Sequence, residues 1–422
     1  MNPHNLLFNA SRSGLVSEVL RLVLAEAEKG SLSTLPSYID ETVINEDEID
    51  EEGWEDYEGD YEEFGRTCLT VALAGGHMEV AGILIQKAGA DLNKARVSDG
   101  KTPLIESCNE NHLSIAQYLV QMGAKVDLGD NYGNTPLFTS SMHGHQEVVK
   151  LLLANGAKLD KADNYGNTPL SMSSMNGHRE VAKLLLAAGA TVDQANTNGN
   201  TPLFMSSQSG HSEVVKLLLA SGADVYQADN NGNTPFYVSS MRGHEEVVKM
   251  LLANGATVDQ VNANGNTPLF TSSWNGHHEV VKLLLANGAR VDQARNNGST
   301  SLLLSIQNGH QEVAKTLLAN GADVYQADDD GATPLSASRQ QGQEEIEKLL
   351  LATIATVRRF TVLFAIRQVR LLPPTPPPSQ LLSLLANDTP DDLVRVILEF
   401  LGADSAEEKT GHGGEAGKRK RG

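Results

Sequence analysis

Cysteine is nearly absent: Cys68 and Cys108 are the two among 422 residues. Two thiols cannot form a disulfide framework or a cysteine-built zinc site. Aromatic residues make up only 5% of the chain, while apolar residues reach 40%. That shortage speaks against a large globular enzyme core and suits helices packed through Leu, Val and Ala. Clean apolar runs are missing too. The longest, residues 349–372, is broken by Arg358, Arg359, Arg367 and Arg370, and arginine is costly in lipid, so no membrane span is expected. Residues 1–8 show no basic stretch leading into an apolar core, so no secretory signal is expected. Basic residues are outnumbered, 33 to 53, for a net charge of −20. A bare nucleic-acid backbone is therefore not an expected partner. The expectation is a cytoplasmic protein, with a nuclear alternative raised by the basic run Lys418–Arg421.

What is present is a period of 33 residues. Thr135-Pro136 recurs as Thr168-Pro169, Thr201-Pro202, Thr234-Pro235 and Thr267-Pro268, becomes Thr300-Ser301, and returns as Thr333-Pro334. Upstream it continues at Thr102-Pro103 and, after a two-residue slip, at Thr67-Cys68. Nine residues after the Thr comes Gly-His, from Gly144-His145 to Gly309-His310. A fixed period of this size means stacked units rather than a globule. Within each unit Thr135 is a good N-cap, and Pro136 suits the first helical position, where a missing N–H costs nothing. Gly144 ends that short helix. A second begins near Gln146 with Val148, Leu151 and Leu152 on one stripe. Gly156 fits a left-handed C-cap, and a polar, Gly-punctuated turn leads on to Gly166. No unit can bury its stripe alone, but stacking buries it.

The string GNTPLFTSSMHGHQEVVKLLLANGAKLD, Gly133 to Asp160, is similar to the ankyrin repeat pattern. Nine such units fall within residues 62–353, preceded by a weaker cap-like unit. The resemblance implies an all-α fold: an ankyrin-repeat solenoid of stacked helix–turn–helix units with short hairpin-like connecting turns. It also implies a concave face, lined by hairpin tips and first helices, that binds proteins. This chain departs from the family where two Ala are usual, carrying Ser140-Ser141, Ser173-Ser174, Ser206-Ser207, Ser239-Ser240 and Ser272-Ser273. Buried hydroxyls need partners, most simply a carbonyl one turn back.

Chemistry is not legible. The Gly-His histidines stand one repeat apart, too far for shared metal ligation, and read as hydrogen-bonded turn residues. No Ser or Cys pairs with a His outside the repeated pattern, and no glycine run precedes Lys and Ser or Thr. Asp160, Asp193, Asp259 and Asp292 read as hydrogen-bonders within turns. No enzyme, cofactor or metal is expected.

Variation between repeats marks the candidate protein-binding positions. They are Tyr132 and Tyr165 before the turn glycine; Met142, His143, Asn176, Met241, Arg242, Trp274 and Asn275 at first-helix ends; and Gln146, Arg179 and His278 after Gly-His. Exposed Met, Trp and Arg have the character of interface anchors. The partner is one or more proteins of unknown identity.

The remaining organisation is residues 1–30, a cap-like helical unit; 31–61, an acidic disordered insertion; 354–372, a basic helix; 373–378, a proline linker; 379–402, a short helical tail; and 403–422, a disordered basic end. Residues 31–63 hold fourteen acids and no Lys or Arg, leaving −6 for everything else. Acid near one end and cationic helix at the other imply weak, salt-sensitive self-association between molecules. In the tail, Ala365-Ile366-Arg367 with the following Leu-Pro and Leu cluster resembles a SOCS box. Asp391–Val394 with Ile397–Leu401 resembles the start of an F-box. These resemblances imply an alternative function, substrate receptor of a ubiquitin ligase.

The repeat pattern predicts that Leu218→Asp destabilises the array by several kcal/mol, because it buries an unpaired carboxylate and removes apolar packing. An unchanged thermal melt would refute stacking at that residue.

Overall fold

A computed structural model describes residues 67–370 together with Arg12 and Arg21, with side chains described as far as residue 359. Eighteen helices and no strand occur among the described residues, in nine consecutive pairs. The first helices are α1 Cys68–Ala74, α3 Pro103–Asn109, α5 Pro136–His143, α7 Pro169–Met175, α9 Pro202–Ser209, α11 Pro235–Arg242, α13 Pro268–Trp274, α15 Ser301–Gln307 and α17 Pro334–Gln340. Their partners are α2 Met78–Gln86, α4 Leu113–Gln121, α6 Gln146–Ala154, α8 Arg179–Ala187, α10 Ser212–Ala220, α12 Glu245–Ala253, α14 His278–Ala286, α16 Gln311–Ala319 and α18 Glu344–Arg370. Each first helix packs on the next first helix, and from α4 onward each second helix packs on the next second helix. The result is the expected all-α solenoid.

Capping starts every unit. The Thr135 hydroxyl accepts from the Phe138 N–H at 3.1 Å, and Thr201, Thr234 and Thr267 repeat the bond at the same distance. These threonines are buried, so each supplies an otherwise orphaned N–H with its acceptor. The stripe Val148, Val149 and Leu152 is fully buried, as are Val181, Ala182 and Leu185, and Val215 and Leu218. One apolar core therefore runs the length of the array. Cys68 and Cys108 are buried within it and form no disulfide, and burial pushes the Cys108 thiol far up from its ordinary value.

The Gly-His histidines join the repeats. His178 Nε2 lies 3.0 Å from the Met142 carbonyl of the preceding unit, His244 3.0 Å from that of Gln208, His277 2.9 Å from that of Met241, and His310 2.9 Å from that of Trp274. A carbonyl only accepts, so Nε2 carries the proton. Gly144 makes this approach feasible: its φ is +78°, and a Cβ there would fall 2.6 Å from His178 Nδ1. Asn111 takes the equivalent left-handed position in the second repeat, with φ 57°. In the ninth repeat Gln343 stands in for His, its Nε2 donating to the Ile306 carbonyl at 2.6 Å.

The hairpins stack by the same logic. Asn164 N–H donates to the Tyr132 carbonyl at 2.8 Å, Thr197 to Tyr165 at 3.0 Å, and Asn230 to Asn198 at 3.0 Å. Asp160, Asp193, Asp259 and Asp292 were expected to bond within their own turns. They bond across turns instead, accepting from the N–H groups of Thr191, Asp224, Arg290 and Asp323 in the next repeat. A turn in register with its neighbour presents its N–H to the preceding carboxylate, and this outcompetes a local bond.

The serine pairs split. The first hydroxyl finds a carbonyl one turn back, as Ser173 does to Leu170 at 3.0 Å and Ser206 to Leu203 at 3.1 Å. The expectation fails for most second ones: the hydroxyls of Ser141, Ser174, Ser207 and Ser273 are buried without a partner. Ser240 is the exception, bonding the Phe236 carbonyl at 2.8 Å.

Both ends of the array are defined by contacts. His77 Nε2 lies 3.0 Å from the Arg12 carbonyl. Arg12 stands two residues before Gly14, just as Met142 stands two before Gly144. The clip here joins residues 65 apart rather than the usual 36, an excess of 29. At the other end Glu347 occupies the place of Val149, and Arg339 that of Ser141, both buried positions in inner repeats. The two pair with each other at 2.8 Å, which makes these two positions of the ninth repeat polar. Helix α18 runs on unbroken across the boundary expected at 353/354. The acidic insertion, proline linker, short helical tail, basic end and the greater part of the SOCS-box-like and F-box-like segments lie outside the described residues.

Two predictions follow from this packing. Ser174→Ala should raise stability by about 1 kcal/mol by removing an unsatisfied hydroxyl, while Ser173→Ala, which loses a bond, should give no gain. Chemical denaturation of the pair checks this, and equal effects would refute the distinction. Burial, outweighing the bond from the Met142 carbonyl, holds His178 below its ordinary pKa, and neighbouring imidazoles push the same way; His277 behaves alike. The unfolded chain then binds more protons as pH falls below about 6.5. Stability should therefore be level above that pH and decline beneath it, and a melting temperature constant from about pH 7.5 to about pH 5.5 would contradict the histidine role.

Candidate protein-binding face

The first helices differ from the second in what they leave outside the main core. From α5 to α15 they contain no Asp or Glu, and Arg242 is their one fixed charge. Each second helix from α6 to α16 carries at least one Glu in its first turn. Those carboxylates meet lysines on their own helices, as in Glu147–Lys150, Glu279–Lys282 and Glu312–Lys315. One layer is a solvated polar surface, while the other is nearly uncharged.

Beneath the uncharged layer lies a second apolar cluster separate from the main core. Phe138, Met172, Phe204, Met205, Tyr237 and Val238 are buried in it, and Met142, Met175 and Met241 pack partly exposed on top. Met142 and Met241 were expected to be exposed anchors. They are half-buried instead, because their side chains cover the aromatic rings at the helix starts. Trp274, at the equivalent position one repeat beyond Met241, is 44% exposed. Its ring lies 6.3 Å from that of buried Phe270. Above Phe270 sits the Arg295 guanidinium, 5.5 Å from the ring centre, a cation–π contact between the eighth hairpin and the seventh first helix.

The remaining candidates fall in different places. Tyr132 and Tyr165 are exposed on the hairpins at 55% and 62%. His143, Asn176, Arg242 and Asn275 are exposed at first-helix ends. Two of these spend their side chains internally: the Asn176 amide donates to the Met142 carbonyl at 3.0 Å, and that of Asn275 to Thr271 at 2.9 Å. Gln146, Arg179 and His278 open the second helices. There Arg179 is bound to Glu180 and Glu213, and the His278 ring lies 2.8 Å from the Thr316 hydroxyl of the next repeat. These three therefore belong to the charged layer, apart from the methionine and tryptophan positions. Sequence reading missed Arg295. Its signal was present: at that position of the turn the third to seventh and the ninth repeats carry Asp or Asn, as at Asp130, Asp163, Asn196, Asp229, Asn262 and Asp328.

Among the described residues, no group of three or more His, Cys, Asp or Glu is placed to hold a metal ion. No helix among them is long and apolar enough to cross a membrane.

A family model described as ankyrin repeats (3 copies) matches the chain in overlapping segments from residues 6–130 through 291–361. The human Ankyrin repeat and KH domain-containing protein 1 is 46% identical over 65 residues, which is 15% of this chain and 2% of that protein. The chain thus matches only a small fraction of that relative's length. Among solved structures, the crystal structure of the human ASB11 ankyrin repeat domain is similar with a TM-score of 0.50 and 27% identity, covering 53% of this chain and 99% of that one.

Proposed function

The chain belongs to the ankyrin repeat family, and from that premise we propose that it is a non-catalytic scaffold or adaptor that binds a protein across its first helices and hairpin tips. The observation that carries this reading is the segregation of charge. Six consecutive first helices present methionines, hydroxyls, amides and one exposed tryptophan with no carboxylate. The opposite layer keeps its charges paired and solvated. A tryptophan left 44% exposed in the uncharged layer costs apolar surface in water, which a bound partner recovers.

Nothing in this face resembles a reaction centre. Histidines such as His178 and His277 are committed to backbone carbonyls of the neighbouring unit, and burial holds the Cys108 thiol far above its ordinary pKa. Recognition through side-chain detail fits a rigid row of repeats.

Replacing Trp274 and Arg242 together by Ala should leave the fold intact, since exposed positions of this kind change stability by no more than about 0.5 kcal/mol each. Affinity capture with the intact chain and with this variant, at matched melting temperatures, compares what each retains. The proteins captured by the intact chain should be lost from the variant. Retention of the same proteins at the same yield would exclude this face.

A further inference from the structure

The arginines of the repeats are almost all accounted for. Arg96 pairs with Asp99, Arg179 with Glu180, Arg290 with Asp259 and Arg339 with Glu347. Among the described arginines that lie within the nine repeats, Arg242 and Arg295 have no carboxylate in an ion pair with them, and both border the uncharged layer; Arg358 and Arg359, also without one, lie far along α18. Arg242 ends α11, one repeat from Trp274 at the end of α13. The backbone links them closely, since His277 of the seventh repeat binds the carbonyl of Met241, the residue next to Arg242. Arg295 covers Phe270, whose ring neighbours that of Trp274. Its Nε is buried without a hydrogen-bond partner.

The carboxylates nearest in sequence do not complete these two. Glu245 pairs with Lys249 at 2.6 Å on its own helix. Asp292 accepts from the Asp323 N–H at 2.8 Å. The patch is thus a partly exposed indole whose ring neighbour Phe270 carries the Arg295 guanidinium, with Arg242 at the end of the preceding first helix, in a row without acid, on a chain whose net charge is −20. A basic partner drawn by that net charge meets its counter-charges elsewhere, on the glutamates of the second helices. What this patch lacks is an anion beside an apolar group.

We propose that Arg242, Trp274, Phe270 and Arg295 form the docking site for an acidic segment of a partner protein, one that sets a large apolar side chain on Trp274 beside an Asp or Glu on the guanidinium groups. This rests on the reading of the first-helix layer as a protein-binding face and names the chemistry that face selects. Arg242 supplies attraction and register, while Trp274 supplies apolar area at the centre.

The full-length chain with Trp54→Phe leaves Trp274 as its one tryptophan, so emission from that indole reports burial directly. The probes are three labelled synthetic peptides of one design, alternating Leu and Phe with Glu, with Gln or with Lys. Anisotropy gives the affinities. The Glu peptide should shift the Trp274 emission to the blue and bind roughly threefold to tenfold tighter than the Gln peptide, the worth of one or two partly exposed ion pairs. The Lys peptide should bind weakest. Arg242→Glu should reverse that order, and Trp274→Ala should weaken all three. Equal affinities for the Glu and Gln peptides, or an order unmoved by Arg242→Glu, would overturn the acidic specificity while leaving protein binding to the capture experiment. No emission shift with any peptide overturns the site itself. If deleting residues 40–63 raises the affinity for the Glu peptide, the chain's own acidic segment holds the patch and the partner proposal falls.

Discussion

The imidazoles of the Gly-His pairs, hydrogen-bonded in all but His211 to a carbonyl of the unit before, are the contact on which the array depends. At most junctions it draws on three things: a residue able to turn left-handed, no side chain at that residue, and a ring long enough to cross the junction, although Asn111 serves in place of glycine for His145 and Gln343 in place of an imidazole. Gly144 meets the first two for His178, which approaches closer than any Cβ would allow. The bond ties the second helix of one unit to the end of the first helix of another. The angle between repeats is thereby set at one edge by imidazoles and at the other by stacked hairpins. Apolar packing between those edges supplies most of the energy, but it is non-directional. Direction comes from the bonds.

That division explains why the first-helix layer is free to vary. The capping threonine, the proline and the Leu after it are buried and fixed by helix initiation. The helix ends need only offer a backbone carbonyl to the next histidine, and any residue has one. Methionine, glutamine and tryptophan therefore alternate at one position without disturbing the stack, as at Met142, Gln208, Met241 and Trp274. A surface built this way changes its chemistry repeat by repeat on an unchanged frame.

Much of this was legible in the sequence, for a physical reason. Helix caps, proline positions and turn glycines act within a few residues, so Thr135, Pro136, Gly144 and Gly156 reveal their roles locally. The structure places α5 at Pro136–His143, the span the pattern expects. What acts between repeats was not legible. Nothing local to His178 says that its ring reaches a carbonyl 36 residues back, and nothing local to Asp160 says that its carboxylate serves Thr191. Burial of Met142 and Met241 also depends on rings from other units, so their variation suggested exposure where the packing leaves them half-covered. The same holds for His278, whose bond to Thr316 is invisible without the stack.

The two ends bring the argument back to finite length. An open stack presents an unsatisfied face at each end, and a face with buried-type residues invites further stacking. In the ninth repeat the exchange of a buried Val position for Glu347 and a buried Ser position for Arg339 places an ion pair where inner repeats pack apolar or small side chains. Such charges at those two positions resemble drift until they are seen to meet. At the N-terminal end the same imidazole clip reaches Arg12 across an additional 29 residues. The clips therefore reach back to Arg12, ahead of the first Thr-Cys unit, and the acidic run of residues 40–63 lies in sequence between the two partners of that clip. Because the clip uses only a backbone carbonyl, it tolerates an insertion of any sequence between its partners, provided the two ends of that insertion come back to one junction.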